Sequence, residues 1–220
     1  MSVIAIIPFS SKNKYSINGD LMKWGGSTLI EWKLSQVALS SKIDKVILTS
    51  TDKNIPSFED PKVEIHHSSK NDLNDRLMEI IKDIDEDDYI LWVNSINPFF
   101  GKKTFDRMID HYMANEDDFF QGLVPIRKLK GFFFSDDFSY KNYNIFEKFE
   151  FRRDEIAPVN LIVNGAYMNS VRNIQTIGWI FGDKPNTFEV DWLNSIEISS
   201  LEEIKIYEAL IEPYLIKESF

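Results

Sequence analysis

Three short apolar runs stand out in the first hundred positions: Val3 to Ile7, stopped by Pro8, then Lys45-Val46-Ile47-Leu48-Thr49, then Tyr89-Ile90-Leu91-Trp92-Val93. Runs of strand length without alternation suit strands covered on both faces, as in a mainly parallel sheet. Between and after them the apolar residues fall three and four apart: Ile30, Leu34, Val37 and Ala38; Leu73, Leu77, Ile80, Ile81 and Ile84; Phe105, Met108, Ile109 and Tyr112. That spacing gives each helix one apolar stripe. Strand and helix alternating over about the first 125 residues predict an α/β domain with right-handed crossovers, built as a three-layer sandwich.

The alternation stops between Arg127 and Asn160. Phe132, Phe133, Phe134, Phe138, Tyr140, Tyr143, Phe146, Phe149 and Phe151 recur there without a period. This stretch reads as an aromatic-rich insertion, whose rings either form an interface or pack beneath the sheet as ordinary core. Strand character returns at Leu161-Ile162-Val163. The capping box Ser200-Leu201-Glu202-Glu203 then opens a last helix, with Leu201, Ile204, Tyr207 and Ile211 on one side. No repeat, low-complexity tract or linker divides the chain, so residues 1–220 read as one domain with an arm at about 127–160.

Composition narrows the class. A chain of 220 residues, 43% of them hydrophobic, can bury roughly 70 to 75% of its unfolded surface and needs no covalent or metal staple. The absence of cysteine excludes disulfides, thiolate zinc, iron–sulfur sites and cysteine nucleophiles. No apolar run reaches the ~20 residues of a membrane span, and the first residues lack the basic region of a signal peptide. The expected compartment is the cytoplasm. Asp and Glu number 35 against 25 Lys and Arg, a net charge of -10 with no basic cluster, which disfavours nucleic acid and anionic membranes as partners. The acidic runs Asp83 to Asp88 and Glu116-Asp117-Asp118 read as solvated loops.

Ligands of open α/β sheets bind beyond the carboxyl ends of the strands, which points to the loops after Ile7, Thr49 and Val93. The first, Pro8 to Asp20, is long and polar and carries Lys12 and Lys14. Such a loop can wrap phosphates with backbone N–H groups and ammonium charges, or be an ordinary surface loop. It lacks the glycine spacing of a P-loop or a dinucleotide fingerprint. His66 and His67, adjacent on a strand, point to opposite faces, against a two-histidine metal site.

Ile7-Pro8, Gly25-Gly26 and Leu29-Ile30-Glu31-Trp32 resemble, without a gap, the amino-terminal signature of the CMP-sugar synthetases, cytidylyltransferases acting on sialic acids and Kdo. Later segments resemble that family in order. They are Ile43 to Asp52, Asn94-Ser95-Ile96-Asn97-Pro98-Phe99, Arg152-Arg153-Asp154 with Pro158, Asn164-Gly165-Ala166-Tyr167, Phe188-Glu189-Val190-Asp191, and Ser195 to Glu203. The resemblance covers almost the whole chain. It implies the nucleotide-diphospho-sugar transferase (GT-A-like) fold, CTP and an acidic sugar as substrates, pyrophosphate as a product, Mg2+ as cofactor, and a homodimer built through the arm. It assigns Phe9, Ser10, Ser11, Lys14 and Asp52 to the nucleotide, with Lys14 the catalytic cation neutralising phosphate. It assigns Asn94, Asn97, Arg153, Asn164 and Gly165 to the sugar, and Glu197 with Asp191 to magnesium. Arg153 would grip a carboxylate bidentately, or else pair with Asp154 or Glu155. Glu197 has the alternative of a plain exposed carboxylate.

The departures bear on the chemistry. Ser10 stands where the family has arginine, Gly19-Asp20 where it has a lysine-asparagine pair, and Glu197 and Ser199 where it has two aspartates. Asn13 and Tyr15 are bulkier than the family's small residues. Lost cations weaken stabilisation of a transferring phosphoryl group, although Lys12 and Lys23 lie nearby. Three readings follow: an active cytidylyltransferase, a weak or inactive relative binding a nucleotide, sugar or protein partner, and a transferase of a preformed nucleotide-sugar. The last needs an aspartate pair where Thr51-Asp52 supplies one carboxylate.

Overall fold

Successive residues of the first strand divide between two cores, because neighbouring side chains of a strand point to opposite faces. The computed structural model describes residues 1–12, 18–53, 55–115, 121–143 and 155–219. In chain order the elements are β1 (Val3–Pro8), a small hairpin of β2 (Lys23–Trp24) and β3 (Ser27–Thr28), α1 (Leu29–Ala38), β4 (Lys45–Ser50), β5 (Val63–His67), α2 (Leu73–Ile81), β6 (Tyr89–Val93) and α3 (Lys102–Ala114). There follow β7 (Leu123–Leu129), β8 (Val159–Ile162), β9 (Ala166–Ser170), α4 (Val171–Ile177), β10 (Asn186–Glu189), α5 (Leu201–Tyr207) and α6 (Ile211–Ser219).

Val3, Ala5 and Ile7 of β1 pack against Ile30, Leu34 and Val37 of α1 and Phe105, Met108 and Tyr112 of α3. Ile4 and Ile6 pack on the other side, with Leu77, Ile80 and Ile81 of α2 and Val171 and Ile174 of α4. These are the three expected layers. The sheet runs β10-β7-β9-β6-β1-β4-β5, with β8 paired to β7. Pairings β6–β1, β1–β4, β4–β5 and β10–β7 are parallel, whereas β9 runs antiparallel to β6 and β8 to β7. The central strands are buried on both faces, as their unbroken apolar runs predict.

Local signals place the helix ends. Thr28 and Glu31 form a capping box on α1, the Glu31 carboxylate accepting from the Thr28 N–H at 2.8 Å, and Asp72 caps α2 by accepting from the N–H groups of Asn74 and Asp75. Ser200 and Glu203 form the box read from the sequence on α5. The single last helix expected there is interrupted by a 3-10 turn at Glu208–Leu210 and resumes as α6. Its expected apolar side holds only in part, since Ile204 is buried but Leu201 is 53% exposed. Ile204 and Tyr214 close a third core with Met22, Trp24, Leu29, Phe99, Ile196 and Ile198.

Lys33 of α1 is fully buried and donates from Nζ to the carbonyls of Asn97 (2.8 Å) and Phe100 (2.7 Å). Burial drives its pKa well below the ordinary lysine value, against the opposing charge of Glu218. This lysine ties the first helix to the loop after β6.

The expected insertion begins where β7 ends. Residues 131–143 form a hairpin-like excursion with one bridge between Phe134 and Tyr140. Among the described residues its rings touch one another: Phe132 on Tyr143 at 4.9 Å between centroids, Tyr140 on Tyr143 at 4.7 Å, Phe134 on Phe138 at 6.2 Å. Phe132, Phe134, Phe138 and Tyr140 are exposed, which corrects the alternative that they are core beneath the sheet. Phe146, Phe149 and Phe151 lie outside the described residues.

Candidate active site

The carboxyl ends of β1 and β6 diverge around a cavity of about 250 Å³. Pro8, Phe9 and Ser10 bring β1 to it, and Asn94, Ser95 and Ile96 bring β6. Asp20, from the 3-10 turn after the first loop, and Leu73 and Arg76 from the start of α2 complete the wall.

The first loop is held by its own side chains. Phe9 is a core residue, its N–H donating to the Thr49 carbonyl at 2.8 Å and its carbonyl accepting from Ser50 Oγ at 2.8 Å. The Ser10 N–H donates to Asp20 Oδ2 at 2.7 Å, and the Asp20 N–H returns a bond to the Ser10 carbonyl at 2.9 Å. Ser95 Oγ donates to the other oxygen of Asp20 at 2.5 Å. The Ser11 N–H donates to Asp52 Oδ2 at 2.6 Å. The structure thus gathers Phe9, Ser10, Ser11 and Asp52 at one place, but the N–H donors expected to face a base or phosphate already have partners. Burial raises the Asp20 pKa, the bonds from Ser95 and Ser10 pull it down, and the charge of Asp52 adds to the rise; the net direction is upward. Lys14 lies outside the described residues.

Arg76 is the residue that sequence reasoning missed. It is 8% exposed, and its guanidinium donates from Nε to the Lys70 carbonyl at 2.8 Å and from Nη2 to the Asn71 carbonyl at 3.2 Å. Burial lowers its pKa, against the charges of Asp52 and Asp72. A cation in the first turn of a helix opposes the helix dipole. A lone arginine at that place, just before Leu77 in the apolar stripe, is the mark that could have singled it out.

A second set of polar groups continues from the cavity. Asn94 donates from Nδ2 to the Asn164 carbonyl at 2.6 Å, Asn164 donates from Nδ2 to Glu197 Oε2 at 2.8 Å, and the Tyr167 hydroxyl donates to Asn164 Oδ1 at 2.5 Å. Burial, reinforced by the Glu197 charge, pushes the Tyr167 pKa up to about 12. Two expected sugar ligands are corrected. Asn97 is wholly buried and donates to the Ile196 carbonyl at 3.1 Å, so its amide joins loops instead of facing a ligand. Gly165 is buried against Phe100, where an added Cβ would lie 2.1 Å from the ring. Its lack of a side chain serves packing, not substrate approach. Arg153 lies outside the described residues.

The two expected magnesium ligands differ. Asp191 has one oxygen on Lys217 Nζ and the other accepting from the Asn194 N–H at 2.9 Å. Burial pushes its pKa up, but Lys217 and Asn194 outweigh that and hold it below the ordinary value. In this structure the Asp191 carboxylate is engaged by Lys217 and the Asn194 N–H. Glu197 is half-buried and fits an ion held through one carboxylate plus phosphates and water. Among the described residues no group of three or more His, Asp or Glu side chains gathers as a ligand set.

No curated protein sequence matches the chain. Its fold is similar to that of CMP:2-keto-3-deoxy-manno-octonic acid synthetase complexed with CTP (TM-score 0.66, 11% identity, 97% of this chain and 99% of that one). It is also similar to 4-diphosphocytidyl-2C-methyl-D-erythritol synthase from Anaerococcus prevotii (0.65, 16%, 96% of each). A third likeness is 2-C-methyl-D-erythritol 4-phosphate cytidylyltransferase from Thermus thermophilus (0.63, 13%, 96% and 100%). At these identities the likeness shows the fold alone. The family model described as cytidylyltransferase matches residues 4–153, more than half of the 220 residues, including β1, β4, β6 and the loops that build the cavity. By that match the chain belongs to the cytidylyltransferase family.

Proposed function

We propose that this protein transfers a cytidylyl group from CTP to a hydroxyl of an acidic sugar of the sialic acid or Kdo type, releasing pyrophosphate. The observation that carries this reading is the cavity at the carboxyl ends of β1 and β6, walled by the first loop and Arg76, in a chain of the cytidylyltransferase family. In the reaction the sugar oxygen bonds to the α-phosphorus, the bond from that phosphorus to the bridging oxygen breaks, and the hydroxyl proton passes to solvent. Positioned positive charge stabilises such a transfer. Lys14 and Arg76 supply it, the former from the loop and the latter from α2. Asn94 and Asn164 present polar groups to the sugar, and Arg153 grips its carboxylate. Glu197 would hold magnesium, which supplies neutralisation of phosphate charge when bound. The exposed rings of the arm join two subunits into a homodimer, which brings Arg153 near a shared site.

The test is pyrophosphate release from CTP and magnesium with a panel of acidic sugars and polyol phosphates. Release with an acidic sugar is the expected result; release with a polyol phosphate alone overturns the acceptor, and none with any acceptor overturns catalysis. Lys14→Ala should weaken CTP binding at least about tenfold, ~1.4 kcal/mol by calorimetry. Equal affinities would remove the loop from the site. The occupied N–H groups of Ser10 and Ser11 favour one second reading, a weak or inactive relative that binds nucleotide, sugar or a protein partner. It predicts CTP binding without pyrophosphate release.

A further inference from the structure

The first loop turns consecutive backbone N–H groups toward anions, the arrangement by which a polypeptide nest binds phosphate. Here the anions belong to the chain. Ser10 N–H meets Asp20 Oδ2 at 2.7 Å and Ser11 N–H meets Asp52 Oδ2 at 2.6 Å. The arrangement is built in. Asp20 is 7% exposed, and its second oxygen is fixed by Ser95 Oγ from beyond β6. Gly19 has φ +47°, and an added Cβ there would lie 2.1 Å from the Ser10 carbonyl oxygen, so a glycine is what lets the next residue press against Ser10.

We propose that Asp20, with Asp52 beside it, is a specificity-determining residue: its carboxylate occupies the anion position of the first loop and weakens binding of polyphosphate ligands relative to uncharged nucleosides. The proposal deepens the CTP reading and rests on it for the identity of the natural ligand. A phosphate arriving at the Ser10 N–H must displace the carboxylate or lie against a like charge, and a like charge at close range disfavours both ionised forms. The groups around Asp20 are Ser10 from the loop after β1, Asp52 from the loop after β4 and Ser95 from the end of β6. Arg76 of α2 shares the cavity wall and is the cation among these lining residues. Burial and Asp52 already push the Asp20 carboxyl up, so an approaching phosphate drives it toward the protonated form. Acidification should therefore narrow the difference between wild type and a variant without this charge.

The experiment is calorimetric titration of wild type, Asp20→Asn and Asp52→Asn with CTP, tripolyphosphate and cytidine. Asparagine keeps an acceptor for the Ser10 N–H and removes the charge. Asp20→Asn is expected to bind CTP and tripolyphosphate at least about tenfold more tightly while changing cytidine affinity by less than about twofold, with a smaller gain of the same pattern for Asp52→Asn. Anion affinities no higher than wild type, or undetectable in every protein, overturn the proposal, as does an equal gain for cytidine. If thermal melting shows Asp20→Asn to be unfolded, Asp52→Asn decides by the same criterion. A gain for tripolyphosphate without CTP binding in any variant keeps the role of the carboxylates and overturns the CTP reading instead.

Discussion

Phe99, Phe100 and Phe105 lie wholly inside the protein, whereas Phe132, Phe134 and Phe138 are 52, 61 and 78% exposed. The side chain is the same; the surroundings differ. The first three sit where the loop after β6 enters α3, beneath α1 and α6, so a second layer meets every ring. Phe99 packs on Trp24 and Tyr214, Phe100 on Phe105, and Lys33 Nζ lies 5.4 Å from the Phe105 ring centroid. The second three sit on an excursion where, among the described residues, the rings meet one another. Burial follows from the availability of a facing layer, not from residue type. A cluster of exposed rings on one excursion is the kind of patch that commonly marks an interface.

The contrast can be broken first at Lys33. Lys33→Ala empties a packed volume and removes the Nζ donor from the carbonyls of Phe100 and Asn97, the latter keeping only the Phe100 N–H, so it should cost about 4 kcal/mol in urea unfolding. Gly165→Ala pushes a methyl group into the Phe100 ring and should cost about 3 kcal/mol, near the upper end for overpacking. A loss under about 1 kcal/mol in either variant would show that the inner phenylalanines are loosely held.

The pH dependence is smaller and has a definite sign. The folded state holds Lys33 below its unfolded value of 10.5, so unfolding takes up a proton between those two values and stability rises with pH across that window. Against Lys33→Met, the wild type should gain up to about 1.4 kcal/mol per pH unit on approaching 10.5 from below. Parallel stability curves for the two proteins would refute this. The smallest effect on stability belongs to the outer rings. Phe138→Ser should change unfolding free energy by no more than about 0.5 kcal/mol, yet convert a dimer to a 25.7 kDa monomer in light scattering. A wild type that already scatters as 25.7 kDa would sink the dimer and the shared-site role of Arg153.

What was legible in the sequence is what a local pattern can carry. β1, β4 and β6 were visible because a strand buried on both faces needs an unbroken apolar run, and α1, α2 and α3 because one buried face needs a stripe. β5 could be read only as a short strand around His66 and His67, since as an edge strand it alternates weakly through Glu64, His66 and His67. β7 was not visible, since it carries Pro125 and then Arg127 and Lys128. The site was legible as a place but only partly as a set of roles. Ser10, Ser11 and Asp52 do meet, because their strands are neighbours in the sheet. Asp20 could be read only as a missing lysine-asparagine pair, since its partner Ser95 is brought to it by the tertiary fold. Asn97 is the reverse case. Its position among polar residues after β6 is what a ligand contact would show, yet the chain folds it inward to the Ile196 carbonyl.

The parallel pairing of β1 with both β4 and β6 also sets a timetable. At 5–20 residues per second on the ribosome, roughly 4 to 17 s separate the appearance of Val3 from that of its neighbour Tyr89. Throughout that interval the most apolar strand in the chain has, at most, one side paired. Nascent β1 is therefore the segment for which a chaperone and an aggregate compete, and slowing synthesis before residue 89 should lower the soluble yield more than slowing it afterwards.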